Sequence, residues 1–168
     1  ADDGIRFGKI AIADLEAGKS FMVGKDTRYG LALKGVYNFG FATKEEALGW
    51  MNLYVGHIMA LGQKNKSGAL PYLYKASQSV GSDAAKNTLP FDLIGGFYFE
   101  ELDKVIAEIK ALIASQEKSG ITEDEIKAIV AQIKAKTAMS NGISERAMDA
   151  FARAHSLAKD PAIKARLK

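Results

Sequence analysis

Residues Leu89 to Ile113, LPFDLIGGFYFEELDKVIAEIKALI, change character half-way along. The first part, FDLIGGFYF, is a short aromatic and aliphatic run interrupted by Gly95-Gly96, the pattern of a buried strand with a bulge. From Glu100 onward Leu102, Val105, Ile106, Ile109, Leu112 and Ile113 recur at three and four residues, which is the apolar stripe of an amphipathic helix. Read this way, Phe99-Glu100 is a joint between a sheet and a helical segment.

Working outward toward the N-terminus, Ile5 to Phe41 alternates as strands do, with glycines punctuating the runs FGKIAIADL, SFMVG and YGLALKGVYNFGF. The expectation is an antiparallel meander, with its first turn at Glu16-Ala17-Gly18-Lys19 and its second at Gly24-Lys25-Asp26. Within it, Ala13 to Ser20 reads ADLEAGKS, a loose match to a phosphate-binding loop. Asp14 and Glu16 would set carboxylates against the phosphate, so a hairpin turn is the preferred reading.

Thr43 and Glu46 form the capping-box pattern of a helix start, and Gly62 is a natural stop. Between them lies a helix over 43–61 that is apolar nearly all round and must be buried or covered. Gly49 and Gly56 leave room on it for close approach by another group. Trp50, Tyr54 and His57 of this helix, with Tyr72 and Tyr74 of the following run LPYLYKASQSV, are the candidate ligand-binding residues. For His57 two readings stand: a ligand contact, or a core histidine whose ring nitrogen is satisfied by a carbonyl. No second His stands at i+3 or i+4 to make a metal site, and neither metal nor catalytic residues are expected. Asn65-Lys66-Ser67 matches a glycosylation sequon.

Working toward the C-terminus, Thr122 and Glu125 repeat the capping box, and Ile126, Ile129, Val130 and Ile133 form the buried face of a second helix. Asn141-Gly142 reads as its end, Ser144 as the cap of a third helix, and Asp160-Pro161 as the start of a last turn. The acids Glu45-Glu46, Glu100-Glu101 and Glu123-Asp124-Glu125 sit in first turns, where the helix dipole favours them, so they are capping groups rather than catalytic pairs. His155 is placed beside Arg153 on a solvated face.

The fold class expected is thus α+β: an antiparallel sheet with one buried helix packed on it, residues 1–99, and a C-terminal helical segment, residues 100–168, on the same core. Composition suits it, for 168 residues with 48% apolar and 26% charged content can bury a sizeable core. The net charge is +3, but 23 basic and 20 acidic residues are interleaved without a Lys/Arg run, which argues against nucleic acid as a partner. Charged residues break every apolar segment before membrane-spanning length. There is no cysteine, which removes disulfides and thiolate chemistry. Ala1-Asp2-Asp3-Gly4 resembles a mature end left by signal cleavage, giving a periplasmic or secreted location; a trimmed end is the other reading.

Over Ser20 to Phe99 the order of elements resembles the extracytoplasmic Cache branch of the PAS-like sensor domains. SFMVGKDTRYGLALKG is similar to that family's strand, turn and strand, ALGWMNLYVGHIMALG to its crossing helix, GALPYLYKAS to the next strand and FDLIGGFYFEELDKVI to its closing strand. The family's long N-terminal helix is missing from this sequence. The resemblance implies a small organic ligand held between sheet and loops, hence a non-catalytic binding module. The alternative from the residues alone is a structural or assembly subunit that meets a protein partner through apolar helix surfaces.

Overall fold

The computed structural model describes residues 1–19, 41, 43–117 and 120–167, and among them there are helices and turns but no strand. The elements are α1 (Asp2–Glu16), α2 (Lys44–His57) continued by a π turn (Ile58–Gly62), α3 (Lys66–Ser77), a 3-10 turn (Asp83–Lys86), α4 (Thr88–Gln116), α5 (Glu123–Leu157) and α6 (Pro161–Arg166). The α+β expectation is therefore corrected to a helical architecture over the described residues. A PAS-like architecture falls with it, because α2 has no sheet to cross among the described residues.

Each mistaken strand has a local cause. FGKIAIADL lies in α1, where Ile5, Ile12 and Leu15 are buried at spacings of seven and three. The alternation of Ile10, Ala11 and Ile12 imitates a strand over three residues, but the helical period holds over eleven. The Gly18 turn is real but terminates a helix. Gly18 has a φ of +78°, and Lys19 N–H donates to the Asp14 carbonyl at 2.9 Å, a Schellman-type close. Gly-Lys here follows a helix C-terminus, the wrong dipole end for phosphate, and Lys19 Nζ instead meets Asp14 at 2.7 Å. The runs SFMVG and YGLALKGVYNFGF lie outside the described residues, save Phe41.

LPYLYKASQSV falls in and just beyond α3, which the Asn65 side chain opens by accepting from Gly68 N–H at 3.0 Å. The sequon asparagine is thus a helix cap, and α3 tolerates Pro71 inside it. FDLIGGFYF is the first third of α4. Its start signal lies just upstream: Asn87 accepts from Leu89 N–H at 2.9 Å, and Pro90 sits in the first turn, where no donor is lost. Gly95 is a place of close packing rather than a bulge. Asn141-Gly142 does not end a helix, since α5 runs through it for 35 residues.

The chain divides into two compact units, Ala1–Pro90 and Phe91–Lys168. In the first, α2 is the central element, as its apolar character requires, and glycines set the distances around it. A Cβ on Gly8 of α1 would lie 2.5 Å from Val55, and one on Gly56 would lie 2.8 Å from Leu73 of α3. One on Gly49 would lie 2.6 Å from the Ser82 Cβ. Leu53, Val55 and Leu73 are nearly inaccessible at this junction. Thr43 caps α2 through Glu46 N–H at 3.1 Å, while the Glu46 carboxylate turns away to Trp50 Nε1 and to Asp83 N–H at 2.8 Å. Half of the expected capping box forms, and its other half ties α2 to the 3-10 turn.

In the second unit α4 and α5 form an antiparallel hairpin. Gly95 faces the Phe151 ring, Arg146 lies 5.7 Å from the centre of the Tyr98 ring, and Glu108 pairs with Lys136, so one helix advances as the other retreats. The inward positions follow alternating steps of four and three: 91, 95, 98, 102, 105, 109 on α4 and 133, 136, 140, 143, 147, 150, 154 on α5. This is a coiled-coil seam. Its α5 side carries small buried residues, Ala147, Ala150 and Ala154, along the part that meets the bulky start of α4, with Phe91 and Ile94 buried and Tyr98 half-buried. The capping box of Thr122 and Glu125 opens α5 with both hydrogen bonds made, and Asp160 caps α6 through Ala162 N–H at 2.7 Å.

Candidate functional site

The five residues picked from sequence separate into two groups. Trp50, Tyr54 and His57 lie at i, i+4 and i+7 on α2, on the side away from its glycine contacts. The Trp50 and Tyr54 rings stack with centres 5.8 Å apart, and Trp50 is held by the hydrogen bond from its Nε1 to Glu46. Tyr54 is 41% exposed, and Leu61 in the π turn, 53% exposed, extends the face. His57 is half-buried in the last turn of α2. These side chains form an outward aromatic face, about 17 Å long at 1.5 Å per residue.

Tyr72 and Tyr74 stand two residues apart on α3, and so point to different sides of it. Both are half-buried, and Lys9 Nζ of α1 lies 5.5 Å from the centre of the Tyr72 ring. Among the described residues the α2 trio shares one face, and Tyr72 is engaged with α1.

Among the described residues, open pockets lie in the second unit, and two of them include none of the five. The larger, about 580 Å³, is lined by Met148, Phe151, Ala152, His155, Arg166 and Leu167. It exists because α6 folds back and Arg166 makes paired hydrogen bonds with Asp92 of α4, at 2.7 and 3.3 Å. The hydrogen bond and charge of the Asp92 carboxylate raise the Arg166 guanidinium above its ordinary value, so that guanidinium is charged at any physiological pH. His155, placed by sequence on a solvated face, is half-buried, and its Nε2 is enclosed without a hydrogen-bond partner among the described residues. The smaller pocket, about 490 Å³, is bounded by Ser115, Ile121, Glu125, Ile129 and Gln132 at the hairpin's closed end. Sequence periodicity picked Ile126, Ile129, Val130 and Ile133 as the buried face of α5, whereas the buried residues are Ile143, Ala147, Ala150 and Ala154, and it gave no sign of the return of α6 or of the larger pocket.

Among the described residues no three His, Asp or Glu side chains converge as metal ligands. No helix among them is long and apolar enough to cross a membrane. Compared with known proteins, the chain matches no family model, no curated protein and no solved structure.

Proposed function

We propose that the chain is a non-catalytic assembly module that binds a protein partner through the outward face of α2. The observation behind this is the stacked Trp50–Tyr54 pair standing at the surface of the helix on which the first unit is built, with Leu61 exposed beside it. Interface hot spots are rich in Trp and Tyr, whose rings supply large apolar area and a polar tip at little entropic cost. Small ligands instead favour concave sites that bury most of their surface. A rigid central helix, held by glycine contacts on its inner sides, presents those rings without reorganisation.

A small organic ligand is the second reading. What favours it is the pocket between Phe151, His155 and Arg166, not the residues singled out from sequence.

Trp50 is the only tryptophan, so its fluorescence reports this face alone. Extracts of the source cells, split into macromolecular and small-molecule fractions, are added to the protein and to Leu61→Asp. A blue shift of Trp50 emission with the macromolecular fraction, lost in Leu61→Asp, supports the proposal. No shift with that fraction, or a shift produced by the small-molecule fraction, overturns it.

A further inference from the structure

We infer that α4 docks against α4 of a second copy of this chain, antiparallel, along Phe99, Ile106 and Ile113. These three residues recur every seven positions and are 53%, 37% and 46% exposed. They lie beside the α5 seam rather than in it, as an apolar line on the outer flank of α4 about 21 Å long. A strict seven-residue repeat on a helix surface fits another helix.

Charge identifies that helix as a second α4. The other charged residues of α4 are already engaged within the chain. Asp92 holds Arg166, Glu101 pairs with Lys104, Glu108 pairs with Lys136, and Glu100 also has an interaction. Asp103 and Lys110 alone enter no ion pair among the described residues. Both are exposed, and both flank the apolar line on its outer edge. Standing two turns apart, about 10.5 Å along one helix, they cannot pair with each other. A two-fold axis between Ile106 and Ala107 sets Asp103 of each copy level with Lys110 of the other. The same axis puts Phe99 level with Ile113 and Ala114 and brings the two Ile106 side chains to the centre. A parallel two-fold arrangement would carry that edge to opposite sides of the contact in the two copies and leave Asp103 and Lys110 unpaired, so the pattern selects the antiparallel one. This inference uses α4 alone and does not rest on the reading of α2.

Sedimentation equilibrium of the full chain tests it. The wild type is expected to form a dimer. Ile106→Asp, shown to be folded by circular dichroism, is expected to weaken the dimer at least about a hundredfold, since it places two carboxylates at a closed apolar centre. Asp103→Lys alone is expected to weaken association about tenfold, and Asp103→Lys with Lys110→Asp to restore it to within about threefold of wild type. Because the chain has no cysteine, Ile106→Cys adds a single thiol, which is expected to give a disulfide-linked dimer on mild oxidation, whereas Met139→Cys is not. A monomer at every concentration, a dimer indifferent to Ile106→Asp, or a charge swap that fails to restore association would each overturn the proposal. Should Ile106→Asp fail to fold, the charge-swap pair and the cysteine variants decide it.

Discussion

The two units solve the same problem in different ways. In the first, apolar surface is hidden by bringing short helices very close, with Gly8, Gly49 and Gly56 removing the side chains that would keep α2 apart from its neighbours. In the second, two long helices share one narrow seam, and the apolar residues beside it, Phe99, Ile106, Ile113 and Met148, are left outside. A central helix surrounded by neighbours has inner sides to bury, whereas a hairpin has one. The first unit therefore hides apolar surface by close helix approach, and the second hides it along one seam.

Truncation gives the largest expected contrast. Leu53 is 1% exposed, and Leu53→Ala should cost about 3 kcal/mol in urea unfolding, the range for a core leucine that leaves a cavity. Met139→Ala truncates a side chain that is 56% exposed on α5 and should leave stability within about 0.5 kcal/mol, as surface changes do. Equal losses in the two variants would break the distinction between the units.

Glycine sharpens it, because one substitution should change sign between them. Gly49→Ala forces a Cβ against Ser82 and should cost about 2 kcal/mol despite the better helix propensity of alanine. At Gly142 of α5 a Cβ meets nothing within 4 Å, so Gly142→Ala should stabilise by about 0.5 to 1 kcal/mol. Thermal melts of both variants check this. A destabilised Gly142→Ala would mean that α5 breaks there after all.

The buried Asn52 gives a smaller effect. Its Nδ2 donates to the Leu48 carbonyl at 2.8 Å, but its Oδ1 is enclosed without a donor among the described residues. Asn52→Leu should therefore be neutral or stabilising by about 1 kcal/mol. A clear loss would show that the amide oxygen has a partner. The smallest effect is in pH. Hydrogen bonds from the Thr122 backbone N–H, and then from its hydroxyl, hold the Glu125 carboxyl below its ordinary value of 4.5. A lowered folded-state value means that the stabilisation is complete above the unfolded-state value and is lost as pH falls through the folded one. Helicity at the start of α5 should thus fray on acidification below about 4.5, and less so in Glu125→Gln, as followed by amide exchange.

Helix signals with a chemical mechanism were legible in the sequence. Thr43, Thr122 and Asp160 all cap as their residue types suggest, and Gly49 and Gly56 sit at close approaches. The helical stripe beyond Glu100 was legible too. Short apolar runs were not, because over nine residues FDLIGGFYF satisfies a strand and a helix equally. The arbitrating evidence was the cap at Asn87 and Pro90 upstream and the continuing period downstream. Asn141-Gly142 misled for the opposite reason: the local stop signal is present, but the seam from Ile133 to Ala154 keeps its register across it, and tertiary packing overrides propensity. Of the candidate site, the aromatic face of α2 could be read from spacing. The pocket beside His155 could not, since it depends on Arg166 reaching a residue 74 positions away.

The central claim is that Thr88 to Gln116 is one helix, because the seam, the outward line of Phe99, Ile106 and Ile113 and the clasp at Asp92 all depend on it. Carbon chemical shifts and sequential amide–amide contacts from NMR across Phe91 to Phe99 test this directly. Helical shifts with unbroken amide–amide contacts from Phe91 into Glu100 are the expected result. Extended shifts over Phe91 to Phe99, giving way to helical ones only at Glu100, would contradict it.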